Sequence, residues 1–332
     1  MSKRLHIIAA CASRKSHSVV ACLGDISGRT VKTRANRWWR TLSDLSRRNE
    51  FAALPQAHQL YTGNYWSIVR QLPEEVRKQT LRPTLWIVSA GYGLVSGNDR
   101  LVPYSATFSR GDVDSVHNGN FYKNPAEEWW SELAQLELPD SGGPRTLSRL
   151  LNDFRSDRFL IIASSEYVSA IQSDLLRGHA SLRNQDNLVL ISSRSCPIDE
   201  RLRRNFVMTD ARLLCNPTCP QDCSSHVLGK GVRGSIGASL ARYFVSNLHT
   251  WGFSAAKFTN QIEAALIDVP ALSVPKRTSM KNSEVKRFIK AALASDKNAS
   301  ATPLLRDLRA RGKACEQKRF KQLYCEVNRT KV

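Results

Sequence analysis

Four short apolar runs are the feature of this sequence that most constrains its fold. They read LHIIAAC, TLWIVSA, RFLIIAS and NLVLISS, and they occupy residues 5–11, 84–90, 158–164 and 187–193. Each run is rich in aliphatic side chains and ends in small, thiol or hydroxyl residues. Continuous apolar runs of this length are typical of strands that are buried on both faces of a parallel sheet.

Helical patterns separate these predicted strands. Between residues 124 and 136, Asn124 is suited to the N-cap, Pro125 to the first helical position, and acidic residues fill the first turn. A second helix is predicted to begin at a serine cap near residue 164 and to end at Gly178. Strands that alternate with helices indicate an α/β fold with a mainly parallel sheet flanked by helices.

The carboxyl ends of the predicted strands carry small and potentially reactive side chains. They hold Cys11, Ser89–Gly91, Ser164–Ser165 and Ser192–Ser193. Ligands of open α/β sheets bind beyond the carboxyl ends of the strands. We therefore expect the functional site at this edge of the sheet.

The net charge restricts the class of partner. The chain has 332 residues with 49 Lys/Arg against 29 Asp/Glu, which gives a net charge of +20. Such an excess favours a polyanion, and nucleic acid is the first choice. No apolar run approaches the ~20 residues that a membrane-spanning helix needs, so no membrane partner is expected.

More than half of this excess charge lies in residues 275–332, which hold sixteen Lys/Arg and five Asp/Glu. Three short helices are predicted there, with Gly312 at the end of the second, and this outline is typical of a helix-turn-helix. We therefore predict an α/β domain over 1–270 and a basic, all-α DNA-binding module over 276–332. The residues expected to contact DNA are Lys230, Arg233, Arg309, Arg311, Lys318, Arg319 and Lys321.

The amino-terminal segment has some features of a signal peptide. However, the apolar stretch from Leu5 to Ala10 is interrupted by His6 and is shorter than the ~7–15 residues usual in such peptides. A first β-strand is the better interpretation, so we expect a cytoplasmic protein. In that compartment its 8 cysteines are expected to be mostly reduced.

The sequence CASRK follows the first strand and contains a candidate nucleophile. A thiol at Cys11, close to a helix amino terminus and to Lys15, would be activated as a thiolate. The alternative is that Cys11 is a small core residue and that the cations lie on the surface.

The sequence VSAGYGLVSGNDRLVPY forms a second candidate element. Backbone N–H groups around Ser89, Gly91, Tyr92 and Gly93 can face an anion or the edge of a base. Asp99 and Tyr104 follow on the returning loop, as a possible proton-transfer group and a stacking ring. The alternative is a tight turn with a tyrosine packed on it.

An aromatic cluster in LYTGNYW flanks Gly63. Tyr61, Tyr65 and Trp66 could stack on a nucleobase. Aromatic residues at this spacing are also common in cores, so that alternative stays open.

A cysteine-rich loop is a candidate metal site. Cys215, Cys219 and Cys223 recur every four residues, and His226 follows. Three thiolates and an imidazole suit zinc, or an iron–sulfur cluster with His226 or an external fourth ligand. The alternatives are a thiol loop without metal or a loop with a redox role.

The sequence GKGVRGSIGASLARYF precedes another predicted helix. Its glycines, together with Lys230 and Arg233, could form a cradle for phosphate. The spacing does not match the P-loop of ATPases, so DNA or RNA phosphate is a better candidate ligand than ATP. A glycine-rich connection without a ligand is the alternative.

Together these motifs resemble a family of domains related to the bacterial peroxide-stress protein, found in phages and genomic islands. The likeness covers roughly residues 5 to 250 and includes the RGSIGASLARYF segment. The matching positions are Cys11, Lys15, Tyr61, Gly63, Ser89, Ala90, Gly93, Leu94, Pro103 and Tyr104.

This resemblance implies an activity on DNA. One branch of the family acts in bacterial islands, including phage-defence islands, that place 7-deazaguanines in DNA. There a DNA transglycosylase inserts 7-cyano-7-deazaguanine and a partner protein converts the nitrile to an amide. The cysteine-rich loop and the basic carboxyl-terminal module depart from the general features of the family.

For such a reaction we expect Cys11, Lys15 and Asp99 to be catalytic. The target base would leave the double helix, and it would bind among Tyr61, Gly63, Ser89, Gly91, Tyr92, Gly93 and Tyr104. A metal at the cysteine-rich loop could activate water instead of the thiol. The rival interpretation is a non-catalytic DNA- or RNA-binding protein of a defence or stress island. A metal-dependent glycosylase or nuclease is a weaker third reading, because no carboxylate cluster suited to two-metal catalysis is evident.

Overall fold

The structure is a computed structural model that divides into two compact units, Met1–Pro270 and Ala271–Val332. Within these units it describes residues 4–48, 53–119, 121, 124–136, 143–214, 227–228, 231–269, 277–296 and 299–329.

The first unit contains strands and helices in alternation. The strands are β1 (Arg4–Ala10), β2 (Ala21–Cys22), β3 (Arg82–Ser89), β4 (Gly93–Ser96), β5 (Tyr104–Ser105), β6 (Arg158–Ile162), β7 (Leu188–Ser193) and β8 (Phe206–Thr209). The helices are α1 (Val31–Arg48), α2 (Ala57–Leu60), α3 (Asn64–Val69), α4 (Leu72–Lys78), α5 (Pro125–Ala134), α6 (Leu147–Asp153), α7 (Ser165–Ser181), α8 (Ile236–Ser246), α9 (Leu248–Trp251) and α10 (Ala255–Leu266).

A six-stranded sheet forms the centre of this unit, in the order β4-β3-β1-β6-β7-β8. Every neighbouring pair is parallel except β3 and β4, which form an antiparallel hairpin. The predicted α/β class is therefore confirmed. The four apolar runs form β1, β3, β6 and β7, while the hairpin strand β4 and the edge strand β8 were not predicted.

The two faces of the sheet are covered by different helices because side chains alternate along each strand. In β6, Phe159 and Ile161 pack into the cluster that contains α1, α5, α6 and α7. Leu160 and Ile162 pack into the cluster that contains α4, α8 and α10. Burial on both faces explains why the strands are continuously apolar.

One predicted helix end was correct and one was wrong. The Asn124 side chain caps α5 by accepting a hydrogen bond from the Ala126 N–H. Helix α7 does not end at Gly178 but continues to Ser181. A Cβ at Gly178 would lie 2.9 Å from the Ser148 Cα, so this glycine permits close packing of α7 against α6.

The described residues of the second unit form three helices and a short pair of strands. The helices are α11 (Asn282–Ser295), α12 (Ala301–Ala310) and α13 (Gln317–Arg329), while β9 (Thr278–Ser279) pairs in parallel with β10 (Lys313–Ala314). Its separate apolar core includes Val285 from α11, Leu308 from α12 and Phe320 from α13. Gly312 lies between α12 and α13 with a φ of 71°, in the left-handed region.

None of the helices described here has the length and apolar character needed to cross a membrane.

Candidate functional site

The order of the strands places a crevice beside β1. The chain leaves β1 through α1–α4 to reach β3 on one side, whereas it leaves β6 through α7 to reach β7 on the other side. Connections that diverge from neighbouring parallel strands create a switch point, and ligands bind there at the carboxyl ends of the strands. The residues at this point are Cys11 after β1 and Ser164 after β6.

A cleft of about 400 Å³ occupies this position. The ends of β1, β6, β7 and β8 line it, together with the segment from Arg233 to Gly237 at the start of α8. Among the described residues that line the cleft, there is one guanidinium and no carboxylate. This volume lies in the range of small-ligand sites, and the lining favours a ligand without positive charge.

The Cys11 side chain lies in this cleft and is 7% exposed. Its Sγ is 3.1 Å from the Oη of Tyr167, which belongs to the first turn of α7. Burial and the neighbouring Cys11 charge raise the pKa of Tyr167 well above its usual value. The phenol therefore keeps its proton at neutral pH and can donate it to a thiolate in a hydrogen bond.

Lys15 follows Cys11 in the loop after β1, and its amine lies over two aromatic rings. Its Nζ donates a hydrogen bond to the Ala12 carbonyl at 2.6 Å. The same atom lies 5.0 Å from the ring centroid of Tyr61 and 4.6 Å from that of Tyr104. Burial lowers the pKa of Lys15, and the Cys11 charge opposes that shift. A lysine with a lowered pKa can exchange a proton more easily near neutral pH.

A network of buried hydroxyls supports the lysine. The Oη of Tyr104 is 2.9 Å from the Oη of Tyr61 and 2.6 Å from the Oγ of Ser89. All three side chains have 0% exposure. Burial is the main cause that raises the pKa values of Tyr61 and Tyr104. These residues lie behind the cleft rather than on its surface, so they position Lys15 and are not exposed for stacking in this conformation.

The glycine-rich turn after β3 approaches protein atoms rather than a ligand. A Cβ at Gly91 would overlap the ring of Tyr104. The carbonyls of Ala90 and Gly91 accept hydrogen bonds from the indole N–H groups of Trp129 and Trp38 at 2.7 and 2.8 Å. The glycines at this turn therefore allow the backbone to approach other core residues closely, and not a ligand.

The remaining predicted residues of this region also have structural contacts. The Tyr92 Oη is hydrogen-bonded to the backbone of Val102. Gly93 and Gly63 have φ values of 77° and 97°, which favour glycine. The Asp99 carboxylate accepts a hydrogen bond from the Ser96 N–H at 2.8 Å and so stabilises the turn after β4.

The structure thus brings Cys11, Lys15, Tyr61, Ser89 and Tyr104 into one cluster. Of the side chains that the sequence analysis named as candidates for catalysis, stacking or phosphate binding and that the structure describes, Cys11, Tyr65 and Arg233 line the cleft.

The cleft also contains Tyr167, to which the sequence analysis gave no role. It contains Ser192 as well, which the sequence analysis placed among the strand ends where a site was expected but to which it gave no chemical role. The pairing of Tyr167 with Cys11 joins residues 156 positions apart, and no local pattern reveals it.

The predicted metal ligands Cys215, Cys219, Cys223 and His226 lie outside the described residues, as does Lys230. Within the described part of the chain, no cluster of three or more His, Cys, Asp or Glu is suited to a metal. The metal site at the cysteine-rich loop stays a prediction.

The predicted DNA contacts of the second unit fall into two groups. Three arginines are engaged within the unit. Arg309 donates to the Cys315 carbonyl at 3.0 Å, Arg311 pairs with Asp307 at 2.8 Å, and Arg319 donates to Asn282 Oδ1 at 2.7 Å. Lys321 is exposed, and the side chain of Lys318 is not described. Further exposed cations in this unit are Arg287, Lys290, Arg306 and Lys313.

Comparisons with known protein families, with curated proteins and with solved structures find no match to this chain.

Proposed function

We propose that this protein is a thiol-dependent enzyme that hydrates the nitrile of 7-cyano-7-deazaguanine in DNA to an amide. The observation that carries the proposal is the position of Cys11. Its thiol lies at the switch point of a parallel sheet, in a cleft of about 400 Å³, and contacts a buried phenol at 3.1 Å. The choice of substrate comes from the resemblance of the Cys11, Tyr61 and Ser89 motifs to the deazaguanine-related family.

The first chemical step is addition of the thiolate to the nitrile. The sulfur of Cys11 forms a bond to the nitrile carbon, and one C–N π bond breaks. The nitrogen takes a proton from Lys15 or from the Tyr167 hydroxyl, and a covalent thioimidate results. The lowered pKa of Lys15 suits it to this transfer because less free energy is needed to remove its proton.

The second step is hydrolysis of the thioimidate. Water adds to the same carbon, and one of its two protons goes to the nitrogen, which becomes an amine. The C–S bond then breaks and the thiolate leaves, while the remaining hydroxyl proton returns to the group that supplied one in the first step and the carbonyl forms. The net change is addition of one water to the nitrile, and the enzyme returns to its initial state.

Control of the leaving group decides between an amide and an acid. If the amine were protonated before collapse, ammonia would leave and a thioester would form. The cleft has no carboxylate among its described lining residues to stabilise an ammonium. This lining favours departure of the thiolate and hence the amide.

The charge of the chain supports DNA as the carrier of the base. The net charge of +20 favours association with the phosphate backbone. Access of a DNA base to the cleft requires base flipping. A base that a transglycosylase inserts into DNA also implies that the enzyme acts in the cytoplasm, where a free thiol stays reduced.

The test is incubation of the purified full-length protein with DNA that contains 7-cyano-7-deazaguanine, followed by nucleoside analysis. We expect conversion to the amide by the wild type and none by Cys11→Ser. A Cys22→Ser variant is the matched control, because Cys22 is a thiol outside the cleft. Persistence of the nitrile with folded wild-type protein would contradict the proposal.

The alternative is a non-catalytic nucleic-acid-binding protein, and the basic second unit favours it. Cys11→Ser separates the two functions. An enzyme loses turnover and keeps DNA affinity, whereas a binding protein has no turnover to lose.

A further inference from the structure

The cleft contains a buried hydroxyl that the protein itself does not satisfy. Ser192 is 2% exposed and lines the cleft, and its Oγ has no hydrogen-bond partner of acceptable geometry among the described residues. The thiol of Cys196 lies next to Ser192, but a thiol is only a weak hydrogen-bonding group. Burial raises the pKa of Cys196, and its contact with Ser192 opposes that rise. Buried hydroxyls are normally paired. An oxygen of a ligand in the cleft would pair this one.

A helix amino terminus faces the same space. Helix α7 is 17 residues long and begins beside Ser164, which lines the cleft, and no side chain caps it. The free N–H groups and the dipole at such an end attract anions. The charged group nearest to this end on α7 is Glu166, whose exposed carboxylate accepts hydrogen bonds from the hydroxyls of Ser164 and Ser165. Since Glu166 lies in solvent, it can rotate away from an incoming anion.

The segment before α8 contributes a cation and a glycine to the lining of the cleft. Arg233 is exposed and makes no ion pair with a described residue. A Cβ at Gly234 would meet nothing within 4 Å, and its φ is not in the left-handed region. Neither the backbone nor neighbouring protein atoms therefore require a glycine there, whereas close approach of a ligand would.

The geometry points to a phosphate-binding subsite formed by Ser192, the amino terminus of α7 and Arg233, which takes the phosphate of a nucleotide whose base contacts Cys11. Strands β1 and β7 lie on either side of β6. Two interstrand spacings separate Cys11 from Ser192 by roughly 10 Å. The ligand therefore has a reactive ring at one end and a phosphate at the other, with a sugar between them. The identity of the base rests on the proposed function, but the phosphate subsite does not.

The test is a titration of full-length Cys11→Ser protein, which undergoes no turnover, with guanosine 5′-monophosphate and with guanosine. We expect the nucleotide to bind about tenfold more tightly than the nucleoside, as one charge-assisted contact implies. Ser192→Ala and Arg233→Gln should each remove most of this preference. Arg40→Gln removes an exposed arginine outside the cleft and should preserve it. Equal binding of nucleotide and nucleoside, or an equal effect of Arg40→Gln, would overturn the inference.

A competition arm distinguishes the source of the phosphate. If a short single-stranded oligodeoxynucleotide displaces guanosine 5′-monophosphate, the subsite takes a DNA phosphodiester. If it does not, the subsite takes free nucleotides, and the inference stands with that ligand. The two proposals can also fail separately. A preference for the nucleotide without conversion of the nitrile would refute the enzymatic proposal alone, and conversion without the preference would refute the subsite alone.

Discussion

Removal of the Tyr167 hydroxyl tests the activation of Cys11. The Tyr167→Phe substitution deletes the group that lies 3.1 Å from Sγ and leaves the ring in its buried position. A hydrogen bond to a charged group contributes about 1.5–3 kcal/mol, whereas one to a neutral thiol contributes much less. Because the substitution removes a hydrogen bond to the reacting sulfur, we expect the reactivity of Cys11 at neutral pH to fall by about 10- to 100-fold.

The assay is the rate of alkylation of Cys11 by iodoacetamide, followed by mass spectrometry of the peptide that contains it. Measurement at the peptide level is needed because Cys325 is also a free cysteine and is exposed. Tyr65→Phe is the matched control. Tyr65 lines the same cleft, but its hydroxyl donates to the Ile162 carbonyl at 3.0 Å.

We expect Tyr65→Phe to alkylate at nearly the wild-type rate. If Tyr167→Phe reacts as fast as the wild type, or if both variants slow equally, the hydrogen bond does not activate the thiol. The mechanism would then need another source of thiolate stabilisation.

Three further predictions concern stability and DNA binding. Gly91→Ala should destabilise the fold by about 1–3 kcal/mol in urea unfolding, since the new methyl overlaps the Tyr104 ring; an unchanged midpoint would contradict this packing. His6 is buried, and burial is the main cause that lowers its pKa from the ordinary value of 6.5 to about 4. Between pH 6.5 and pH 4 the unfolded chain therefore binds a proton at His6 that the folded chain does not. Stability should therefore decrease by roughly 2 kcal/mol from pH 7 to pH 5, and His6→Gln should remove that share of the decrease. For DNA binding, log K falls linearly as log salt rises, and Lys321→Gln should reduce the magnitude of this slope by about 0.9. Lys78→Gln, in the first unit, should leave the slope unchanged. Equal slopes for the two variants would exclude Lys321 as a phosphate contact.

Local patterns were sufficient for four strands of the central sheet and for one helix cap. The run at 158–164 became β6, and Asn124 became the N-cap of α5. These features depend on neighbours within a few residues, so the sequence contains all the information that they need. The small residues at the ends of β1, β6 and β7 were also evident from local pattern, and the structure places Cys11, Ser164 and Ser192 in the lining of one cleft.

The sequence misled where a residue type has two physical uses. The glycines and tyrosines after β3 suggested a ligand surface, but Gly91 makes room for the buried ring of Tyr104. Gly178 suggested a helix end, but it lies within α7 at a close contact with α6. A glycine required by packing and a glycine required by a turn look alike until the partner in space is known.

The sequence by itself determined that the chain forms apolar parallel strands, that a thiol follows the first of them, and that positive charge is concentrated near the carboxyl terminus. Only the tertiary structure decided that β1 lies between β3 and β6, which opens the crevice at Cys11 and brings Tyr167 and Ser192 into it. The physical reason is the range of the interactions. Periodicity and capping act over a few residues, whereas strand order is set by packing between segments that are more than 70 residues apart along the chain.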